Sequence, residues 1–460
     1  MDAKRKLIKF AIVMAAVTIV FSLADGMEPK MRLTLALLVM ASSLWITEAI
    51  PLAATSLLVA FSQPVLGIQG FTPALSHFFD PVVALLLGGF LLARTVEKYD
   101  LDEFFAHKIV KRFGVDSKMV VLGLMLATAF LSMWISNTAS TALMITLALR
   151  LTANIKDKHD NLAKIMVLGI AYSATAGGLS TLIGSTPNVI AAAFLKDTLD
   201  YDLTFLGWSL YGVPISLLSI LVIWLLLFKI FPTKVKGIPL PEQQEKALNN
   251  KQKLTLAIFA VAIVLWFSGQ LPEPLAGLLG WRGHGLTSSM VAIFVAIVLF
   301  LTNLLEENDF SRISWGTLLL IGGGLSLGSA LEVSGLTIWI GEIITNVSGV
   351  GSAVALVLIL GFSALGFSII ASNTASASIF IPIAISAGIA SDVNPVVLAV
   401  LVAICSSLDY MLPVGTPPNA IAYSTGKVKM REMVKAGFML DILGCLLAIL
   451  LALTVWNLLV

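Results

Sequence analysis

Ser136-Asn137-Thr138-Ala139-Ser140 interrupts an otherwise apolar stretch, and the same five residues return as Ser372-Asn373-Thr374-Ala375-Ser376, 236 positions later (372 − 136). A second word follows each copy. It reads Gly184-Ser185-Thr186-Pro187-Asn188 in the first half and Gly415-Thr416-Pro417-Pro418-Asn419 in the second, with the Thr-Pro steps 230 positions apart (416 − 186). Each half therefore carries the same two-part polar site. Proline removes a backbone donor and clashes with the preceding turn, while glycine permits backbone that other residues avoid, so the second word breaks a helix. Broken helices at matching places in two hydrophobic halves are the device by which secondary transporters build a site at mid-membrane depth.

The surrounding sequence is that of a membrane protein. Hydrophobic residues make up 58%, charged residues 12%, and the mean hydropathy is +0.96, against about 25% charge in a soluble domain. Apolar runs at 7–23, 33–47, 51–67, 82–93, 163–183, 208–231, 254–268, 287–304, 316–332, 395–412 and 433–459 approach the about 20 residues needed to cross a bilayer. They predict an all-α polytopic fold of about eleven transmembrane helices plus two re-entrant hairpins. The first run lacks a small-residue cleavage site and reads as a retained helix. Each hairpin is expected from a short apolar arm, the Ser-Asn-Thr word and a second short arm: Val120 to Ile135 with Ala139 to Leu149, and 353–370 with 377–390. A matching lead-in precedes each, Leu85-Leu86-Leu87-Gly88-Gly89-Phe90 and Leu318-Leu319-Leu320-Ile321-Gly322-Gly323-Gly324.

Charge placement sets the expected orientation. Lys4, Arg5, Lys6 and Lys9 precede the first run, and basic residues cluster at 94–118, 229–253 and 427–435. By the positive-inside rule these four stretches and the N-terminus are cytoplasmic. The segments around 196–202 and 333–350 are poor in Lys and Arg and are expected outside. The two hairpins then enter from opposite sides, which is inverted-repeat topology. The acidic loop 305–312, with Glu306, Glu307 and Asp309, should lie inside by parity yet carries the wrong sign. The expected divisions are 1–80 (scaffold), 81–230 (transport repeat), 231–253 (cytoplasmic linker), 254–315 (scaffold) and 316–460 (transport repeat).

The words supply Asn amides and Ser and Thr hydroxyls. The helix beginning at Asn137 or Asn373 offers free N–H groups and a positive dipole end to an anion. Carbonyls and hydroxyls at the break suit a hard cation such as Na⁺. No Lys or Arg lies within any word. A dianion crossing the bilayer then needs a mobile counter-charge, and co-bound Na⁺ supplies it.

Together with Trp45-Ile46-Thr47-Glu48-Ala49-Ile50-Pro51 and Met411-Leu412-Pro413-Val414 leading into the last word, the chain resembles the divalent anion:sodium symporter (DASS) family of dicarboxylate, citrate and sulfate carriers along nearly its whole length. The resemblance implies a homodimer with a scaffold domain fixed in the membrane and a transport domain that moves as an elevator; the chain's size and lack of a targeting segment lead us to expect a prokaryotic plasma membrane. By position it implies that Asn137, Thr138, Ser185, Asn373, Thr374, Thr416 and Pro417 meet the substrate carboxylates. Ser132, Ser136, Asn137 and Gly184 would form one Na⁺ site, and Ser368, Ala371, Asn373 and Gly415 a second. Two departures stand out: Gly415 replaces the usual alanine, and Asp409 stands where an apolar residue is usual. An ionisable residue in a span is a functional candidate, so Asp409 could add a cation or proton site, or be a cavity-facing carboxylate bonded to its neighbours.

Sodium-coupled uptake of C4 dicarboxylates is thus the leading expectation. A Na⁺-independent dicarboxylate exchanger, or a sulfate, citrate or phosphate symporter, is the alternative. An intramembrane enzyme or a channel would belong to a different class. Gly324-Leu325-Ser326-Leu327-Gly328 matches a nucleophile-elbow pattern but sits in an expected span, where small residues serve helix packing. Glu48, just before Pro51, reads as a capping or interfacial residue. His77, His107, His159 and His284 fall outside the spans, and Asn346-Val347-Ser348 is a glycosylation sequon by pattern alone. Cys405 and Cys445 read as separate buried thiols. Nothing suggests a nucleic-acid partner; the expected partners are substrate anion, sodium ions and lipid.

Overall fold

Helices begin where the sequence writes a cap. The computed structural model describes residues 3–153, 160–238, 247–271, 273–347 and 353–459. His159, Lys246 and the rest of 239–246, Ser348 of the sequon, and 348–350 of the external segment lie outside the described residues, as do the side chains of Lys4, Arg5, Lys6 and Asn346. In the first half run α1 (Ala3–Leu23), α2 (Pro29–Thr47), α3 (Leu52–Val65), α4 (Phe71–Ser76), α5 (Pro81–Lys98), α6 (Leu101–Val110), α7 (Ser117–Ser132), α8 (Asn137–Thr152), α9 (Leu162–Gly178), α10 (Thr186–Leu199) and α11 (Phe205–Ile230). The second half has α12 (Asn250–Ser268), α13 (Glu273–Leu279), α14 (Ser288–Leu301), α15 (Trp315–Val333), α16 (Leu336–Val347), α17 (Ala353–Ile370), α18 (Asn373–Ser391), α19 (Pro395–Ser407), α20 (Pro417–Ser424) and α21 (Met430–Leu453). Among the described residues the only strand-like pairing is one isolated bridge, Asp116 to Gly237.

The caps are local and specific. Asp80 accepts from Val82 N at 2.9 Å, with Pro81 opening α5. Asp116 accepts from Lys118 N and Met119 N at the start of α7. Asn394 does the same for α19 before Pro395. Such caps satisfy amides that the first turn leaves orphaned. Glu48 ends α2 in the left-handed conformation, so it is a C-cap as expected. Eight helices among the described residues are long and apolar enough to cross a membrane.

One expectation about the hairpins is corrected. The arms of the second, α17 and α18, have 18 and 19 residues and meet the length and hydropathy of a span. Length therefore does not mark this hairpin as re-entrant. Its tip is placed against the first half, as described below.

The lead-in glycines have a packing cause. A Cβ on Gly88 of α5 would lie 2.4 Å from the Ala292 carbonyl oxygen of α14, and one on Gly323 of α15 would lie 2.2 Å from Ser56 Cβ of α3. The contacts are reciprocal: the leading helix of each half lies against the equivalent helix of the other half. In the same way α10 packs on α18 while α8 packs on α20. The two amphipathic helices break this equivalence. α6 lies chiefly on its own arm α7, whereas α16 lies on the returning arm α18.

The described parts of three basic stretches share one face. Ser117 N donates to Lys236 O at 3.0 Å, Asn161 Nδ2 to Pro232 O at 3.0 Å, and Lys164 pairs with Glu432 at 2.6 Å. Asp309 of the acidic loop pairs with Arg94 at 3.2 Å and Lys98 at 2.7 Å. The loop's charge thus answers the basic residues beside it, which removes the conflict with parity.

Candidate functional site

In the first half, Ser132 at the end of α7 donates to Asn137 Oδ1 at 2.5 Å and contacts the Ala174 carbonyl oxygen at 2.7 Å. Ser136 caps α8, its hydroxyl accepting from Ala139 N at 3.1 Å. A Cβ built on Gly178 would meet the Gly184 carbonyl oxygen at 2.8 Å and Asn137 Oδ1 at 3.0 Å. The absence of a side chain at 178 therefore leaves a cradle edged by an amide oxygen, a backbone oxygen and the Ser132 hydroxyl. Neutral oxygen donors of this kind suit Na⁺, and the residues present fit it.

The second half repeats the construction. Ser368 donates to Asn373 Oδ1 at 2.9 Å and contacts the Ser406 carbonyl oxygen at 2.5 Å. Ser372 caps α18 through Ala375 N at 3.2 Å. Ala371 lies between arm and cap, half-buried like Asn373. The loops after α9 and α19 are each tied by an asparagine. Asn188 Nδ2 donates to Gly178 O and Thr181 O at 2.9 and 2.7 Å; Asn419 Nδ2 donates to Asp409 O and Leu412 O at 3.1 and 3.0 Å.

These ties fix the register of the second word. Asn188 and Asn419 are 231 positions apart (419 − 188), as are Gly178 and Asp409 (409 − 178). Ser185 therefore corresponds to Thr416, and each is the N-cap of its short helix. The offset of 230 taken from the Thr-Pro steps is off by one, because the second half carries an extra proline at 417 where the first has Thr186.

The two halves meet through these words. Thr186 and Thr374 share a hydrogen bond of 2.6 Å, and Ser185 lies 3.2 Å from Ser407. The tip of the second hairpin is thus seated against the break in the first half. Thr374 and Thr416 are buried; Asn137, Gly184, Ser185, Asn373 and Gly415 are half-buried; Ser136, Thr138 and Pro417 are exposed. Four helix N-termini, those of α8, α10, α18 and α20, begin at the words; the first three offer first-turn amides and a positive dipole end to an anion, whereas α20 opens on Pro417-Pro418, which carry no N–H, and its Asn419 N is capped by Thr416 Oγ1.

A profile of the sodium:sulfate symporter transmembrane region matches residues 4–460. The chain belongs to that family. As a sodium:sulfate symporter family member it is a transporter and not an enzyme. An uncharacterized transporter of Haemophilus influenzae is 37% identical, with 90% of each chain covered. The sodium-dependent dicarboxylate transporter SdcS of Staphylococcus saprophyticus is 32% identical over 93% of this chain and 86% of its own. That of Staphylococcus aureus USA300 is 33% identical over 94% and 87%. Two solved structures share the fold at 15% identity: the Alcanivorax borkumensis YdaH transporter, with a TM-score of 0.58 over 83% of this chain and 87% of its own, and Neisseria gonorrhoeae MtrF, with 0.54 over 95% and 96%.

Several residues of this family member were not singled out by sequence. Thr186 is one, hidden by the register error. Asp441 of α21 is another: it is 1% exposed, accepts from Tyr410 N at 2.8 Å, and is masked by the strongly apolar run around it. Cys405 and Cys445, 40 positions apart, are not separate; their sulfurs lie 3.7 Å apart as buried free thiols. Ser326 donates to Ala74 O at 2.7 Å, and a Cβ on Gly328 would strike Phe194 at 2.1 Å, so the Gly-x-Ser-x-Gly segment is a packing surface. Away from the words, His77, Asp80 and Asp197 bring ligand atoms within 4.8 Å of one another, beside a cavity of about 310 Å³ that Glu332 also lines.

Proposed function

We propose that this chain is a Na⁺-coupled carrier of C4 dicarboxylates in the plasma membrane. The observation that carries the proposal is the repeated serine–asparagine pair at each word, Ser132 with Asn137 and Ser368 with Asn373, the first set beside the Gly184 carbonyl, with four helices starting at the words and no Lys or Arg within any word. The first Na⁺ site would use Ser132, Ser136, Asn137 and Gly184. The Ser136 hydroxyl caps α8 and its carbonyl accepts from Ser140 N at 3.0 Å and Ser140 Oγ at 3.1 Å, so Ser136 also holds the first turn that carries Asn137. The second would use Ser368, Ala371, Asn373 and Gly415. Asn137, Thr138, Ser185, Asn373, Thr374, Thr416 and Pro417 would hold the two carboxylates. The sodium-dependent dicarboxylate transporters among the relatives favour this substrate class.

A binding order would follow from such sites. A cation in each cradle holds a hairpin tip against a helix break and adds positive charge beside the amides that receive a carboxylate. Substrate affinity then rises with Na⁺. Counting the broken pairs α9–α10 and α19–α20 as one crossing each gives eleven spans, with α7–α8 and α17–α18 as re-entrant hairpins and the N-terminus inside. The reciprocal packing of α5 on α14 and α15 on α3 supports a scaffold that includes both lead-in helices, so the transport unit would begin after them. That unit would slide as an elevator, with α6 and α16 as its joints, within a homodimer bedded in lipid.

The test is radiolabelled succinate uptake into proteoliposomes. An inward Na⁺ gradient is expected to drive accumulation, and uptake indifferent to Na⁺ would sink the coupling. Uptake that instead requires internal dicarboxylate would identify an exchanger, and competition by sulfate or citrate reads the anion directly.

A further inference from the structure

The two cradles are built from one pattern but filled differently. In the first, position 178 is glycine. Its counterpart, Asp409, places its carboxylate against the backbone of Gly415: a Cβ on Gly415 would lie 2.1 Å from Oδ2 and 2.4 Å from Oδ1. By the repeat, position 409 stands to Asn373 as Gly178 stands to Asn137. Asp409 is 0% exposed, and neither carboxylate oxygen has a hydrogen-bond partner. None of the ion pairs among the described residues includes it. Asn419 Oδ1, tied to the same loop, is also buried and unpartnered, and so is one oxygen of Asp441, which holds the Tyr410 amide next in sequence.

Bare carboxylate oxygens in a membrane interior are costly unless a charge of opposite sign sits beside them. No basic side chain supplies that charge, whereas the unpartnered Asn419 Oδ1 on the same loop and, by the repeat, the Asn373 amide oxygen are neutral donors suited to a hard monovalent cation. We infer that Asp409 is a direct, anionic ligand of a Na⁺ ion in the second cradle, which makes the two cation sites chemically unequal: neutral donors in the first half, a carboxylate in the second. The inference rests on the proposal that the words form cation sites, and it adds a ligand to that set.

Three consequences distinguish this from a structural role. The second site binds Na⁺ more tightly than the first. Replacing Asp409 by Asn removes an unbalanced charge, so the Na⁺-free protein gains stability while the stabilisation by Na⁺ shrinks. Replacing Asp409 by Gly writes the residue of the first cradle into the second, so the two sites become alike.

The experiment uses the purified full-length chain without dicarboxylate. ²²Na⁺ equilibrium binding is measured alongside thermal unfolding in NaCl and in choline chloride at equal ionic strength. The wild type is expected to show two classes of Na⁺ site. Asp409→Asn is expected to weaken the tighter class at least about tenfold, the loss of one charged contact, and to melt higher in choline with a smaller increment from Na⁺. Asp409→Gly is expected to bind with a single class. Wild-type isotherms in both variants, or a lower melting temperature in choline with the Na⁺ increment unchanged, would overturn the inference and leave coupled transport standing. Absence of ²²Na⁺ binding to the wild type would overturn both. Na⁺ binding altered as expected, with succinate uptake indifferent to Na⁺, would support the ligand and sink only the coupling.

Discussion

Gly178 shows how little a side chain has to do for a site to depend on it. Its missing Cβ is the space that the Gly184 carbonyl and the Asn137 amide border. Gly178→Ala puts a methyl there and is expected to abolish Na⁺ stimulation of uptake while the protein still purifies as a folded species, checked by uptake at graded Na⁺ and by size exclusion. Asn137→Ala and Asn373→Ala each remove the oxygen that a buried serine hydroxyl contacts. The serine keeps its carbonyl partner, so the loss falls on the proposed ion and carboxylate contacts; at about 1.5–3 kcal/mol for a hydrogen bond to a charged group, each should lower succinate uptake by roughly tenfold to a hundredfold. At this scale the sequence was informative where a residue type is out of place. Asn and Ser inside apolar runs announced both cradles, and Asp409 announced itself. Asp441 did not, because one acid in a strongly apolar window scarcely changes its hydropathy. Thr186 was lost because a repeat aligned on Thr-Pro hides that Pro417 stands in its place, which the asparagine ties reveal.

The helices that carry these residues start at the words, so caps and breaks are the functional units at the next scale up. Ser136→Ala removes the hydroxyl that receives Ala139 N and should cost about 1 kcal/mol, seen as a lower melting temperature. The hydrogen bond between Thr186 and Thr374 joins the first turns of α10 and α18 across the repeat. A double-mutant cycle with Thr186→Val and Thr374→Val is expected to give a coupling of about 0.5–1.5 kcal/mol; additive losses would separate the two tips. Helix positions were legible because glycine, proline and the capping residues punctuate the apolar runs. The nature of the second hairpin was not. Its arms are long enough to cross, and its tip is placed by contacts with α10 that lie 188 residues away in sequence. The proximity of Cys405 and Cys445 was hidden for the same reason, since packing of α19 on α21 brings them together.

Across the whole molecule, charge reports on how the halves are joined. Asp309 lies outside the spans. Burial raises its pKa, but hydrogen bonds from Lys98, the Glu306 amide and Arg94 outweigh that and hold it below the ordinary carboxylate value. A depressed carboxylate stabilises the fold above its unfolded pKa, near 3.9, and that contribution fades as pH falls through the lower folded value. Melting temperature should therefore drop below about pH 4, and Asp309→Asn should be less stable at neutral pH with a flatter acid limb. The seating of α16 on α18 can be tested too. A Cβ on Gly341 would lie 3.4 Å from Ala387 Cα, so a disulfide between Gly341→Cys and Ala387→Cys is expected to block uptake until it is reduced.

That last contact has no counterpart in the other half, where α6 rests on α7 instead. Two segments of like sequence pattern thus occupy unlike surroundings within one molecule. Under the proposed carrier reading, a chain written twice but settled differently in each copy would carry a description of its own alternative: were each half to take up the posture of its twin, the same parts would assemble into a form opening on the other side. On that reading the asymmetry would be the difference between two end points, held as one pair of helices out of step.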